Sequence, residues 1–157
     1  GVNHTEMLLL KTAALFHDLG HLISYDHHEE EGVKMAREML PEYHYTQQQI
    51  DQIAGLILAT RMPPNPQNLL EQIICDADLD YLGRTDFVPV AYNLFKELRT
   101  RNKVESFEHW KKIQIDFIRR HSYFTETARQ LREVNKKKQL NKIMQEMEDR
   151  NGYGKKS

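Results

Sequence analysis

The sequence has one cysteine, Cys75, in 157 residues. That excludes an internal disulfide and fits a reducing, cytoplasmic compartment. Neither sign of charge is in excess: 22 Lys and Arg face 23 Asp and Glu, for a net charge of −1. A general nucleic-acid binder needs a basic face, and this total argues against one. No apolar run approaches the ~18 residues of a membrane span, and no signal peptide opens the chain. Seven Gly and five Pro are few for this length. Strand signals are nearly missing too, with no Asn-Gly or Asp-Gly between apolar runs. The first residue is Gly1 and not Met, so the expected start is processed, engineered or cut from something longer.

What is present is helical periodicity. Met7, Leu10 and Ala14 share one face, flanked by Leu8 and Leu15. Val33, Met35, Ala36, Met39 and Leu40 predict a second helix, stopped at Pro41. Ile50, Ile53, Ala54, Ile57 and Leu58 predict a third, with Thr46 as its N-cap. The stretch 61–66, with three prolines, is the one clear break. Further helices fit Asn68–Cys75, Phe87–Arg101, Phe107–His121 and Thr125–Arg150. The expectation is a single all-α domain of about seven helices over 1–150, with a frayed tail over 151–157. Trp110, Phe117, Tyr123 and Phe124 read as packing residues, Cys75 as a buried small residue, and Lys136-Lys137-Lys138 as a solvated face. The long last helix could serve a homodimer.

Two clusters carry chemistry. In the first, the apolar run Ala13-Ala14-Leu15-Phe16 ends in His17-Asp18-Leu19-Gly20-His21, followed by His27-His28 and three Glu. Four of the eight His fall within twelve positions. His17 and His21 share a face if the helix persists through Gly20. Imidazole and carboxylate at the edge of a core need a cation or hydrogen bonds. Together they suit Zn, Fe, Mn, Ni or Co, and more carboxylate favours Mn or Mg. The plain alternative is a surface pair with a solvated helix start, its acids placed at the positive end of the helix dipole.

In the second cluster, Cys75-Asp76-Ala77-Asp78-Leu79-Asp80 puts three carboxylates at alternate positions. A calcium loop would need Gly and Glu where Tyr81 and Phe87 stand. An aspartate-nucleophile phosphatase would need a preceding strand and a different residue at Leu79. The remaining reading is a helix whose core-side Asp completes the site begun at His17-Asp18. Asp76 and Asp80 would share one helical face, with Asp78 nearly opposite.

Taken together, these segments resemble the HD superfamily of metal-dependent phosphohydrolases. The carrying residues are Ala13 through His21, His28-Glu29-Glu30-Glu31-Gly32, Ile57-Leu58-Ala59-Thr60 and Cys75 through Arg84. The sixty positions between Asp18 and Asp78 fit as well. The resemblance implies an all-helical fold. It implies metal ligands His17, Asp18 and Asp78, with His28 as a second-metal ligand or phosphate contact. His21 falls where family members carry a group that meets the phosphate or serves in proton transfer. A phosphoryl transition state needs positive groups around it, and Arg61 and Arg84 are candidates to contact the substrate phosphate. The family's first motif His lies upstream of the doublet, and His4 is too close to replace it. The expectation is therefore a chain without its first helix. Thr60 stands where a further His is often found, so one divalent ion is expected rather than two.

The reaction implied is hydrolysis of a phosphomonoester or phosphodiester, nucleotide-like, by metal-activated water. The alternative is a catalytically idle module that binds a nucleotide or a protein partner.

Overall fold

The computed structural model describes the backbone of residues 1–153 and the side chains of residues 1–149. Seven α-helices and three short 3₁₀ turns make up the described chain, which contains no strand. It divides into two compact units, residues 1–78 and 79–157. No described helix is long and apolar enough to cross a membrane.

The first unit holds α1 (His4–Phe16), α2 (His28–Met39), α3 (Gln47–Ala59) and α4 (Leu69–Asp78). Local chemistry sets the starts. Asn3 accepts from the Glu6 N–H at 2.9 Å, and the Glu6 carboxylate accepts from the Asn3 N–H at 2.8 Å. Thr46 and Gln49 form the same reciprocal box at the start of α3, which satisfies donors that the helix leaves open. Asn68 caps α4 through the Glu71 N–H at 3.0 Å. α2 begins at His28, five residues before its apolar run, with Glu29, Glu30 and Glu31 at the favourable end of its dipole. Pro41 falls in a 3₁₀ turn, Leu40–Tyr43, where its missing N–H costs nothing.

The core of this unit comprises Leu9, Leu10, Ala13 and Phe16 of α1, Ile50, Ile53, Ala54, Leu56 and Ile57 of α3, and Ile74 and Cys75 of α4. This corrects the face expected for α1: Met7, Leu8 and Leu15 are exposed. The burial is set by α3 and α4, against which α1 packs, and apolar periodicity alone did not rank two adjacent stripes.

The second unit holds a 3₁₀ turn (Asp80–Gly83), α5 (Phe87–Thr100), α6 (Phe107–Arg120) and α7 (Glu126–Tyr153). One core cluster joins Leu82, Phe87, Ala91, Ile115, Ile118 and Ile143. A second joins Phe95, Val104 and Trp110. Tyr123 is buried and Lys137 and Lys138 are exposed, but Lys136 is 3% exposed. Its ammonium donates to the His121 carbonyl at 2.8 Å and pairs with Glu133 at 2.9 Å, so the solvated reading fails for that residue. Of the tail expected to fray, residues 151–153 continue α7, and residues 154–157 lie outside the described residues.

Candidate metal centre

α1 ends at Phe16, and His17 caps it through its N–H to the Ala13 carbonyl at 2.9 Å. The helix does not persist through Gly20, as the shared-face argument required. The chain turns at Asp18 and enters a 3₁₀ turn, Leu19–Leu22. This turn lies against the start of α2. A Cβ on Gly20 would stand 1.8 Å from the His28 carbonyl oxygen. Only glycine allows the two backbones to approach so closely, and their approach brings His21 onto His28.

The His17 ring is held from behind. Its Nδ1 lies 2.8 Å from the Ala14 carbonyl oxygen, which can only accept, so Nδ1 carries the hydrogen. Nε2 then faces Asp18 Oδ2 and Asp78 Oδ1, each at 3.3 Å. Three lone-pair atoms converge, and a proton or a cation must sit among them. The proton affinity reflects this. The Asp78 carboxylate, as hydrogen-bond partner, pushes the His17 pKa up to about 9, against the opposing effect of burial and with help from Asp18 and the Ala14 carbonyl. Asp78 occupies the last position of α4, which carries it to the end of α1.

A second group shares Asp18. Its Oδ1 lies 3.6 Å from His21 Nε2. Asp18, His21 and His28 each offer one donor atom within 4.8 Å of the others. His28 repeats the His17 arrangement: Nδ1 is 3.1 Å from the carbonyl oxygen of Tyr25, also three residues earlier. The rings of His21 and His28 stack at 3.8 Å and 17°. His28 Nε2 lies 3.4 Å from Glu29 Oε1. The sequence reading missed Glu29, a carboxylate 5% exposed in the first turn of α2. Nothing local separates it from its two acidic neighbours.

The other expected residues fall elsewhere. Arg61 pairs with Glu30 of α2. Arg84 belongs to the second unit, where Asp86 takes its Nε at 2.8 Å and its Nη2 at 2.5 Å. Asp80 also belongs there and accepts from Arg132 Nε at 2.6 Å. It does not share a helical face with Asp76, because α4 stops at Asp78. Asp76 is buried. Thr60 is buried, and its hydroxyl donates to the Ile57 carbonyl at 2.7 Å. Cys75 donates its thiol to the Ala59 carbonyl at 3.1 Å, and burial pushes its pKa up to about 12, so it is an inert packing residue.

The donor types suit a divalent ion, and Asp18, His21 and His28 form the group whose donor atoms lie within 4.8 Å of one another. His17 offers a lone pair with its tautomer fixed from behind, and two carboxylates face it. The first unit is thus an all-helical domain with a cluster of His and carboxylate side chains where the end of α1, the 3₁₀ turn Leu19–Leu22 and the start of α2 meet.

The family model described as HD domain matches residues 2–80, half of the chain, and the chain belongs to that family. HD domains bind divalent metals, and the family is one of metal-dependent phosphohydrolases. No curated protein and no solved structure matches the chain.

Proposed function

We propose that the first unit hydrolyses a phosphomonoester or phosphodiester, nucleotide-like, at a divalent metal held by His17, Asp18 and Asp78. The observation that carries the reading is the convergence of Asp18 and Asp78 on His17 Nε2, each at 3.3 Å, with Nδ1 tied to Ala14. A bound divalent ion supplies a coordinated water of lowered pKa and a polarising charge on the phosphoryl oxygen.

Charge supports the same reading. Residues 1–78 contain four Lys and Arg against twelve Asp and Glu. The side chains of this unit alone repel a phosphate ester, so the attraction has to come from a bound cation and from local donors. His28 and Arg61 are those donors, with Arg61 oriented by Glu30. In this reading His21, 3.6 Å from Asp18 and stacked on His28, moves a proton to the leaving oxygen.

The test is metal analysis of the dialysed protein beside turnover of p-nitrophenyl and bis-p-nitrophenyl phosphate with added Mn²⁺. About one bound equivalent and metal-dependent turnover are expected, with both lost in Asp78→Asn while helicity is kept. Metal content unchanged in Asp78→Asn would refute the ligand assignment. Full metal without turnover of either ester would refute the hydrolase.

A further inference from the structure

The near-neutral total conceals a division along the chain. Residues 79–157 contain 18 of the 22 Lys and Arg and 11 of the 23 Asp and Glu, for a net charge of +7. The averaged value that argued against nucleic acid therefore describes neither unit. A charge asymmetry of this size points to an anionic partner for the basic half.

The second unit places aromatic rings within its positive charge. Val88, Tyr92, Lys96 and Arg99 follow one another at steps of four, four and three on α5, which puts them on one face. All four are exposed, Val88 at 53% and Tyr92 at 50%. The adjacent stripe, Phe87, Ala91 and Phe95, about a quarter-turn round the helix, is buried. Phe107 opens α6 and is 38% exposed. Its ring stands edge-on to Tyr92, with centroids 6.3 Å apart at 74°. Lys96 Nζ lies 5.1 Å from the centre of the Tyr92 ring, and the Arg99 guanidinium lies 6.0 Å from that of Phe95. Neither Lys96 nor Arg99 has a carboxylate partner among the described residues, whereas Arg84, Arg129 and Arg132 each have one. The face thus combines half-exposed rings with cations that no acid neutralises.

We propose that this face of α5, with Phe107, binds single-stranded nucleic acid. Unpaired bases offer flat faces that stack on Tyr92 and Phe107, and the phosphates between them meet Lys96 and Arg99. Base-paired duplex hides those faces. An anionic lipid surface fits less well, because it needs a broad apolar stripe and α5 turns its largest apolar residues into the core. The inference does not draw on the metal centre and holds whether or not that centre is a hydrolase.

The experiment is fluorescence anisotropy of a labelled oligouridylate of about twelve nucleotides, long enough to span this face, titrated with the full chain. Saturable binding that weakens as salt rises is expected. Tyr92→Ala should weaken it about fivefold or more, and Tyr92→Phe should keep it, since stacking needs the ring and not the hydroxyl. Lys96→Gln and Arg99→Gln should each flatten the slope of log K against log salt by about 0.7. These two exposed changes carry the test if Tyr92→Ala loses helicity. Absence of saturable binding overturns the proposal, as does a Tyr92→Ala affinity equal to wild type in a folded variant. Binding to phosphatidylserine vesicles with none to the oligonucleotide overturns it in favour of a membrane surface.

Discussion

The metal centre makes a quantitative prediction about pH. In the metal-free protein His17 holds its proton up to about 9, because Asp78 accepts from it and Asp18 lies beside it. At pH 7 roughly 99% of the sites then carry a proton that a metal must displace. The apparent Mn²⁺ affinity should rise about tenfold per pH unit from pH ~6.5 towards 9 and level off above, so that binding at pH 7 is ~100-fold weaker than the limit. Calorimetry in two buffers of different ionisation enthalpy should show release of about one proton at pH 7. Asp78→Asn removes the largest cause of the high pKa, so the His17 ring of the metal-free variant, followed by NMR, should titrate well below 9. The stability of the metal-free fold runs the other way. The folded-state pKa of His17 is raised above the ordinary value of 6.5. The stabilising contribution is therefore complete below about pH 6.5 and lost as pH rises through 9. For this partly exposed pair it amounts to about 1–2 kcal/mol after solvent screening. Affinity that stays flat between pH 6.5 and 8.5, with no proton released, would refute the placement of His17 between two carboxylates.

Three further predictions concern the frame around the site. Gly20→Ala forces a Cβ against the His28 carbonyl and should cost about 2–3 kcal/mol, read as a lower urea midpoint, with metal affinity falling alongside. Ile53 is fully buried, and Ile53→Ala should cost about 2–5 kcal/mol by the same assay without changing the pH dependence of metal binding. Thr46→Ala removes one arm of the box at the start of α3 and should cost about 1 kcal/mol, whereas Thr46→Ser should restore most of it.

The sequence by itself determined what depends on near neighbours. Capping at Thr46, the break at the prolines and the start of α6 at Ser106 all follow from residues within four positions. The doublet His17-Asp18 and the later Asp78 were legible because metal donors at the edge of apolar runs are conspicuous in one dimension. Tertiary structure decided the rest. Leu9 and Phe16 face the core and Met7 and Leu15 do not, because α3 and α4 cover one side of α1. Asp80 finds Arg132 from 52 positions away, which removes it from the face it was expected to share with Asp76. Glu29 and Lys136 stand in charged runs that read as solvated, yet both are buried, Glu29 beside the ring of His28 and Lys136 against the His121 carbonyl of the preceding helix end. The closeness of His21 to His28 rests on Gly20, whose missing side chain lets two backbones meet. Sequence ranks local preferences, but burial and long-range pairing are properties of surfaces that exist only after the chain has folded.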